Sequence, residues 1–115
     1  FLYERSYHFP FHLEVQCRAR VLSLSLGDAM EVCGRWHAAS GTRQALLHLA
    51  AIHRLLGEPA KAAELLRGVM DGKSSVTIAA IERAAWHPSP RTKQYSTQIE
   101  ASLYRGLRLA GVSDR

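Results

Sequence analysis

Apolar residues recur at helical spacing through the centre of the chain. In residues 43–56, one predicted helix face holds Leu46, Leu49, Ala50 and His53, which lie at positions i, i+3, i+4 and i+7. In residues 59–70, a second predicted face holds Ala62, Leu65, Leu66 and Val69. Because residues three and four positions apart meet on one side of an α-helix, both runs predict amphipathic helices.

Turn residues mark where the helices begin and end. Gly27 and Gly57 are each predicted to end a helix, and the acidic residue after each glycine favours the start of the next one. Thr42 has the hydroxyl group of a helix N-cap, and Pro59 suits a first helical turn, where no N–H is needed. Gly111 is predicted to close the last helix.

Two segments are less regular. The stretch VLSLSL at 21–26 alternates apolar and polar residues, which is compatible with a short strand. We favour a helix over residues 11–25, with Asp28 capping the next one, because a lone strand would have no partner. The pattern Thr97-x-x-Glu100 is a capping box, which predicts that the last helix starts near Thr97.

This punctuation divides the chain into six helices joined by short loops. We therefore predict an all-α fold in one domain over residues 1–115, with three antiparallel hairpins at about 11–39, 43–71 and 76–110. Stacked hairpins would form a short α-solenoid, and an irregular all-α bundle is the alternative. The sequence has no initiator methionine, so we expect it to be a piece of a longer chain.

One of these hairpins resembles a known repeat. Residues 43–74 resemble a unit of the tetratricopeptide repeat (TPR) family, with small residues where two helices approach, larger ones between them and an LG turn. The helix-packing positions that match the family pattern are Leu46, Leu49, Ala50, His53, Ala62, Leu66 and Val69. His53 stands where the family usually has an aromatic residue, and the neighbouring segments match less well. The resemblance implies a TPR-like stack of hairpins.

The resemblance also implies a function. TPR arrays bind other proteins, and the first helix of each hairpin lines their concave groove. The positions of this sequence that would face such a groove are Gln44, Leu47, Ala51 and Arg54. Only Arg54 among them is cationic, so the groove suits an amphipathic helix or an extended segment better than a terminal carboxylate. We expect a non-catalytic protein–protein interaction domain, part of a scaffold, chaperone or regulator, that binds another protein or a peptide segment.

Basic residues favour an alternative function. The chain has a net charge of +5, and residues 73–115 hold seven Lys or Arg against three Asp or Glu. The predicted basic face of the third hairpin comprises Arg83, Arg91, Lys93, Arg105 and Arg108. Because such groups bind phosphates, the alternative is a regulatory domain that contacts nucleic acid. A solvated helix face or an acidic protein partner would account for the same charges.

The sequence carries no recognisable reaction chemistry. It lacks the G-x-S-x-G, Walker and G-x-G-x-x-G motifs, and its histidines lack the spacing of a zinc site, so we expect no enzyme activity, metal or cofactor. Cys17 and Cys33 lie in apolar patterns and are predicted to be small buried thiols, which fits a cytoplasmic protein. A bridge between adjacent helices is compatible with their positions. No apolar run is long enough to span a bilayer, so we expect no membrane partner.

Overall fold

The computed structural model describes residues 9–70, 76–84 and 93–114, and every regular element among them is a helix. The elements are α1 (Phe9–Leu22), α2 (Leu26–Ser40), α3 (Arg43–Leu55), α4 (Pro59–Met70), α5 (Ile78–Ala84), α6 (Lys93–Ile99), a π-helical turn (Glu100–Tyr104) and α7 (Arg105–Leu109). The last three follow one another without a break and are called the C-terminal helix below. The predicted all-α class is confirmed. None of the described helices combines the length and hydropathy needed to cross a membrane.

Two helix ends use the same glycine turn. Gly57 (φ 83°) and Gly111 (φ 109°) adopt the left-handed conformation that a side chain disfavours. The N–H of the residue after each glycine donates five residues back, to the carbonyl oxygen of His53 (2.8 Å) in one turn and of Leu107 (2.9 Å) in the other. This is the Schellman ending of a helix, so the predicted roles of both glycines are confirmed.

The turn between α1 and α2 lies upstream of its predicted position. α1 ends at Leu22, whereas Gly27 is the second residue of α2 and Asp28 lies within its first turn, so Asp28 is not its cap. Leu24 (φ 59°) takes the left-handed position in which a glycine was expected, at a cost of about 1 kcal/mol for a non-glycine residue. The packing of the two helices against each other therefore fixes this turn against local preference.

The start of the C-terminal helix also differs from its prediction. The helix begins at Lys93, so Thr97 lies inside it and the predicted capping box does not form. Tyr95 is packed, half-buried, against the hydrophobic core. Because that burial favours helical backbone upstream of Thr97, tertiary contacts override the local start signal.

α3 occupies the centre of the packing. It contacts α1, α2, α4 and the C-terminal helix. Its buried residues are Ala45, Leu47, His48, Leu49, Ala50, Ala51 and Ile52. The sequence predicted burial of one face, but the helix is covered on nearly all sides. Thr42 caps α3 as predicted, because its Oγ1 accepts a hydrogen bond from the Ala45 N–H at 3.4 Å.

The C-terminal helix meets α3 at a point where each of the two helices has a very small residue. A Cβ atom built on Gly106 would lie 2.8 Å from both the Cβ and the carbonyl oxygen of Ala51. A Cβ atom does not come so close to another heavy atom, so only glycine allows this approach without a shift of the two helices. The contact sets how closely the C-terminal helix lies on α3.

A disulfide bond joins the first two helices. Cys17 of α1 and Cys33 of α2 are bonded through their sulfur atoms, with Cα atoms 4.9 Å apart, and both side chains are fully buried. The prediction of free thiols is therefore wrong, because the packing of α1 on α2 brings the two residues within bonding range. Disulfides persist in oxidising compartments, so the cysteines no longer argue for a cytoplasmic location.

The short helix α5 is attached through the end of the described chain. The N–H groups of Ile78 and Ala79 donate to the carbonyl oxygens of Ser113 and Asp114, each at 2.9 Å. These bonds satisfy two of the amides that a helix leaves free at its first turn. Residues 71–75, between the second and third predicted hairpins, and Arg91 of the predicted basic face lie outside the described residues.

We expect reduction to destabilise the protein. The bond joins residues 16 positions apart, and closing a loop of that size stabilises a protein by about 3 kcal/mol. Urea unfolding with and without reductant measures this difference, and the variant Cys17→Ala/Cys33→Ala is the control that reductant should not affect. Two titratable thiols in the unfolded, unreduced protein would contradict the bond.

We expect Gly106→Ala to destabilise the protein by about 1–3 kcal/mol, because the new methyl group overpacks the contact with Ala51. The matched control is Gly68→Ala in α4, where a new Cβ meets nothing within 4 Å. That variant should gain up to about 1 kcal/mol through its better helix propensity. The free energies of unfolding of the two variants would be measured side by side. Equal values would mean that the C-terminal helix does not approach α3 at this point.

Candidate functional site: an apolar cleft beside α1

The groove positions expected from the sequence are not an open surface. Leu47 and Ala51 are fully buried, and Gln44 and Arg54 are half-buried. Ala51 lies directly against Gly106, so the C-terminal helix covers this part of α3. The chain itself therefore occupies the surface at which a partner segment was expected.

Among the residues that the structure describes, an apolar cleft lies open next to this covered region. It has a volume of about 250 Å³ and lies between α1 and the C-terminal helix. One wall is formed by residues of α1, chiefly Val15, Ala19 and Leu22, and the other by Tyr95, Ile99 and Leu103. His48 of α3 lies at its floor, and Glu14 and Arg18 add charge along the α1 side.

His48 is a neutral histidine with one fixed tautomer. Its Nδ1 lies 2.8 Å from the carbonyl oxygen of Gln44, and since a carbonyl oxygen only accepts, Nδ1 carries the proton and donates. Burial lowers the pKa of His48 to about 4, and the positive charge of Arg18 acts in the same direction. The ring therefore offers Nε2 as an unprotonated hydrogen-bond acceptor at neutral pH.

Arg18 is held at the edge of the cleft by two neighbours. Its Nε donates to Oε2 of Glu14 at 3.0 Å, one helical turn earlier on α1. Its guanidinium group lies 5.7 Å from the centre of the Trp36 ring, which in turn packs edge-on against His48 at 5.5 Å. A cation is therefore fixed beside an apolar cleft that has a neutral histidine at its floor.

The cleft has the chemistry of a binding surface. Its walls are apolar, its floor offers one neutral acceptor and its edge carries one ion pair. Within the described ranges, no group of three or more His, Cys, Asp or Glu side chains is placed to hold a metal ion. The arrangement can bury an apolar group and accept one hydrogen bond from it.

The predicted helix-packing residues lie at or near the contact of α3 with α4. Leu49, Ala50, Ala62, Leu66 and Val69 are buried, whereas Leu46 and His53 are half-buried. Nδ1 of His53 lies 2.7 Å from Oε1 of Glu58, just after the turn between these helices. His53 is therefore half-buried and contacts a neighbouring carboxylate.

The predicted basic face is only partly free to meet a ligand. Arg83, Lys93 and Arg105 are exposed, and Arg91 lies outside the described residues. Arg108 is bound by two carboxylates, with Nη1 2.6 Å from Oε2 of Glu100 and Nε 2.6 Å from Oδ1 of Asp114. Its charge is therefore compensated within the protein.

His48 is not among the site residues predicted from the sequence, although its position on α3 carries a signal. Ala45, His48 and Ile52 lie at i, i+3 and i+7, so they share a face of α3 that is as apolar as the predicted one. Two apolar faces on one helix indicate burial on both sides. The walls of the cleft could not be found in this way, because they come from helices that are distant in sequence.

We expect the stability of the protein to fall between pH 7 and pH 5 because His48 is buried. Its pKa is about 4 in the folded protein and 6.5 when exposed, so the unfolded state binds the proton first as the pH falls. The stability is thus complete above the unfolded pKa, and about 2 kcal/mol is lost by pH 5. Urea unfolding at both pH values measures this, against His48→Gln as the control. An equal pH dependence in wild type and variant would contradict the assignment.

Comparison with known proteins gives no relative from which a role could be transferred. A scan against protein-family models, a search of curated proteins and a search of solved structures each find no match for this chain. The resemblance of residues 43–74 to a TPR unit therefore rests on the sequence pattern alone. The function must be argued from the cleft and from the residues that surround it.

Proposed function

We propose that this protein is a non-catalytic protein-interaction domain, built of stacked TPR-like hairpins, which binds an apolar segment of another protein in the cleft. The observation that carries the proposal is the cleft itself, an apolar depression between two helices that residues 9–70, 76–84 and 93–114 leave unfilled. Grooves of this kind take the apolar face of a helix or an extended segment. The expected groove on α3 is replaced in this proposal by the neighbouring surface of α1.

The size of the cleft favours a protein partner over a free small molecule. Its volume of about 250 Å³ lies below the range of about 300–1,000 Å³ that is usual for small-molecule sites. It suits one or two anchoring side chains of a larger partner. Val15 extends the apolar surface beyond the cleft, since its side chain is 49% exposed, and it gives the rest of such a partner a place to pack.

The disulfide bond indicates the kind of cellular compartment in which this interaction takes place. Because a bond such as that between Cys17 and Cys33 is rare in the reducing cytoplasm, we infer that the domain meets its partner in an oxidising compartment. This inference takes the place of the cytoplasmic location expected from the sequence. Labelling of the two cysteines in intact cells, before and after reduction, would test it.

Nucleic-acid binding is the weaker candidate. Its proposed surface includes Arg108, whose two carboxylate partners would have to be displaced before a phosphate could bind. Arg83, Lys93 and Arg105 are exposed and could still contact phosphate groups, so this candidate can be tested. Binding through phosphates would weaken steeply with salt, whereas an apolar anchor in the cleft would not.

We expect Ala19→Trp to weaken partner capture, because the large side chain fills the cleft from its α1 wall. The matched control is Ala38→Trp, at an exposed position of α2 that does not line the cleft. Wild type and both variants would be immobilised and exposed to nuclease-treated lysate, and the retained proteins quantified by mass spectrometry. The retained amount of a protein that binds in the cleft should fall about tenfold with Ala19→Trp, which is the effect of losing one anchoring contact. It should stay unchanged with Ala38→Trp.

Two outcomes would contradict the proposal. Equal capture by Ala19→Trp and Ala38→Trp would mean that the partner binds elsewhere. Retention from untreated lysate that is lost from nuclease-treated lysate would favour the nucleic-acid candidate. Thermal unfolding of both variants checks that neither substitution has disrupted the fold.

A further inference from the structure

The floor of the cleft can discriminate between apolar groups. Nδ1 of His48 is committed to the carbonyl oxygen of Gln44 at 2.8 Å, which leaves Nε2 as the ring nitrogen able to accept a hydrogen bond. A buried acceptor that gains a donor is favoured over one that gains only a methyl group or a bare ring. A group that is apolar but carries one N–H or O–H therefore suits the cleft better than a wholly apolar group.

The charge at the cleft narrows the choice further. Arg18 lines the cleft and already lies over one aromatic ring, that of Trp36, at 5.7 Å. Because Arg18 is paired with Glu14 at 3.0 Å, this edge carries no net charge, and it favours a neutral side chain over a lysine or a glutamate. The guanidinium group still presents a cation to an aromatic ring. The guanidinium group of Arg18 attracts the face of an electron-rich ring, and indole is the best of the aromatic side chains in this respect.

The volume of the cleft is large enough for a side chain with two fused rings. A cavity of about 150 Å³ holds benzene, so the cleft of about 250 Å³ has room for a larger ring system. Ile99 and Leu103 on one wall and Ala19 on the other offer flat aliphatic contact to such a ring. An amphipathic aromatic side chain combines this contact with a polar handle.

We propose that the cleft recognises a tryptophan side chain of the partner protein, with its indole N–H donating to Nε2 of His48 and its ring lying between α1 and the C-terminal helix. This inference rests on the proposed function, since it names the anchor that the partner inserts. His48 is then the specificity-determining residue. The apolar walls supply affinity, and His48 selects a donor.

Indole and benzofuran test the inference directly. The two molecules have the same shape, but benzofuran carries an oxygen atom in place of the N–H. The dissociation constants of both would be measured by NMR titration of the full chain. We expect indole to bind about fivefold more tightly, which is the effect of one net hydrogen bond. The Nε2 resonance of His48 should shift with indole and stay in place with benzofuran.

Two variants complete the experiment. His48→Phe keeps an aromatic ring at the floor but removes the acceptor, so it should bind both probes with equal affinity. If His48→Phe does not fold, the Nε2 shift of the wild-type protein decides the question alone. Ala19→Trp should block both probes, whereas Ala38→Trp should leave both dissociation constants unchanged. Equal affinities of the wild type for the two probes, an unmoved Nε2 resonance or no binding of either probe would overturn the inference.

The experiments distinguish a failure of the tryptophan inference from a failure of the proposed protein-binding function. Protein capture that depends on Ala19 without a preference for indole would leave the function standing and overturn the role of His48. A preference for indole without protein capture would overturn the function, and with it the assignment of the indole to a partner protein. Tight capture of a partner whose tryptophans can all be replaced by phenylalanine would also overturn the inference.

Discussion

The contact between Gly106 and Ala51 determines how the rest of the structure can be arranged. It allows the C-terminal helix to lie so close to α3 that α3 becomes buried on nearly all sides. The same close approach brings Ile99 and Leu103 opposite α1, which creates the cleft. A larger residue at either position would lift the helix, so the core and the candidate site depend on one pair of small residues.

Local features of the fold were predictable because their causes are local. Thr42 caps α3 through its own side chain, and Gly57 and Gly111 end helices because they tolerate the left-handed conformation. Where tertiary packing opposed these local signals, the predicted helix ends were wrong. Leu24 holds the turn predicted for Gly27, and the helix predicted to start at Thr97 begins at Lys93.

The candidate site was beyond sequence reasoning for a different reason. The amphipathic pattern of α3 says that a face is apolar, but it does not say what covers that face. Leu47 and Ala51 have the pattern of a groove, yet the covering element comes from the same chain, about fifty residues later. His48 is informative only once its neighbours are known, because burial and the nearby Arg18 make it neutral.

The π-helical turn has a consequence for how this sequence can change over time. A π turn holds one residue more than an α-helical turn, so it rotates all that follows by on the order of 100°. Ile99 and Gly106 are seven positions apart and would share a face in an unbroken α-helix. With the turn between them, Ile99 lines the cleft while Gly106 meets Ala51. Evolution can therefore exchange residues within 100–104 more easily than it can delete one, because a deletion would force the helix to give up one of the two surfaces.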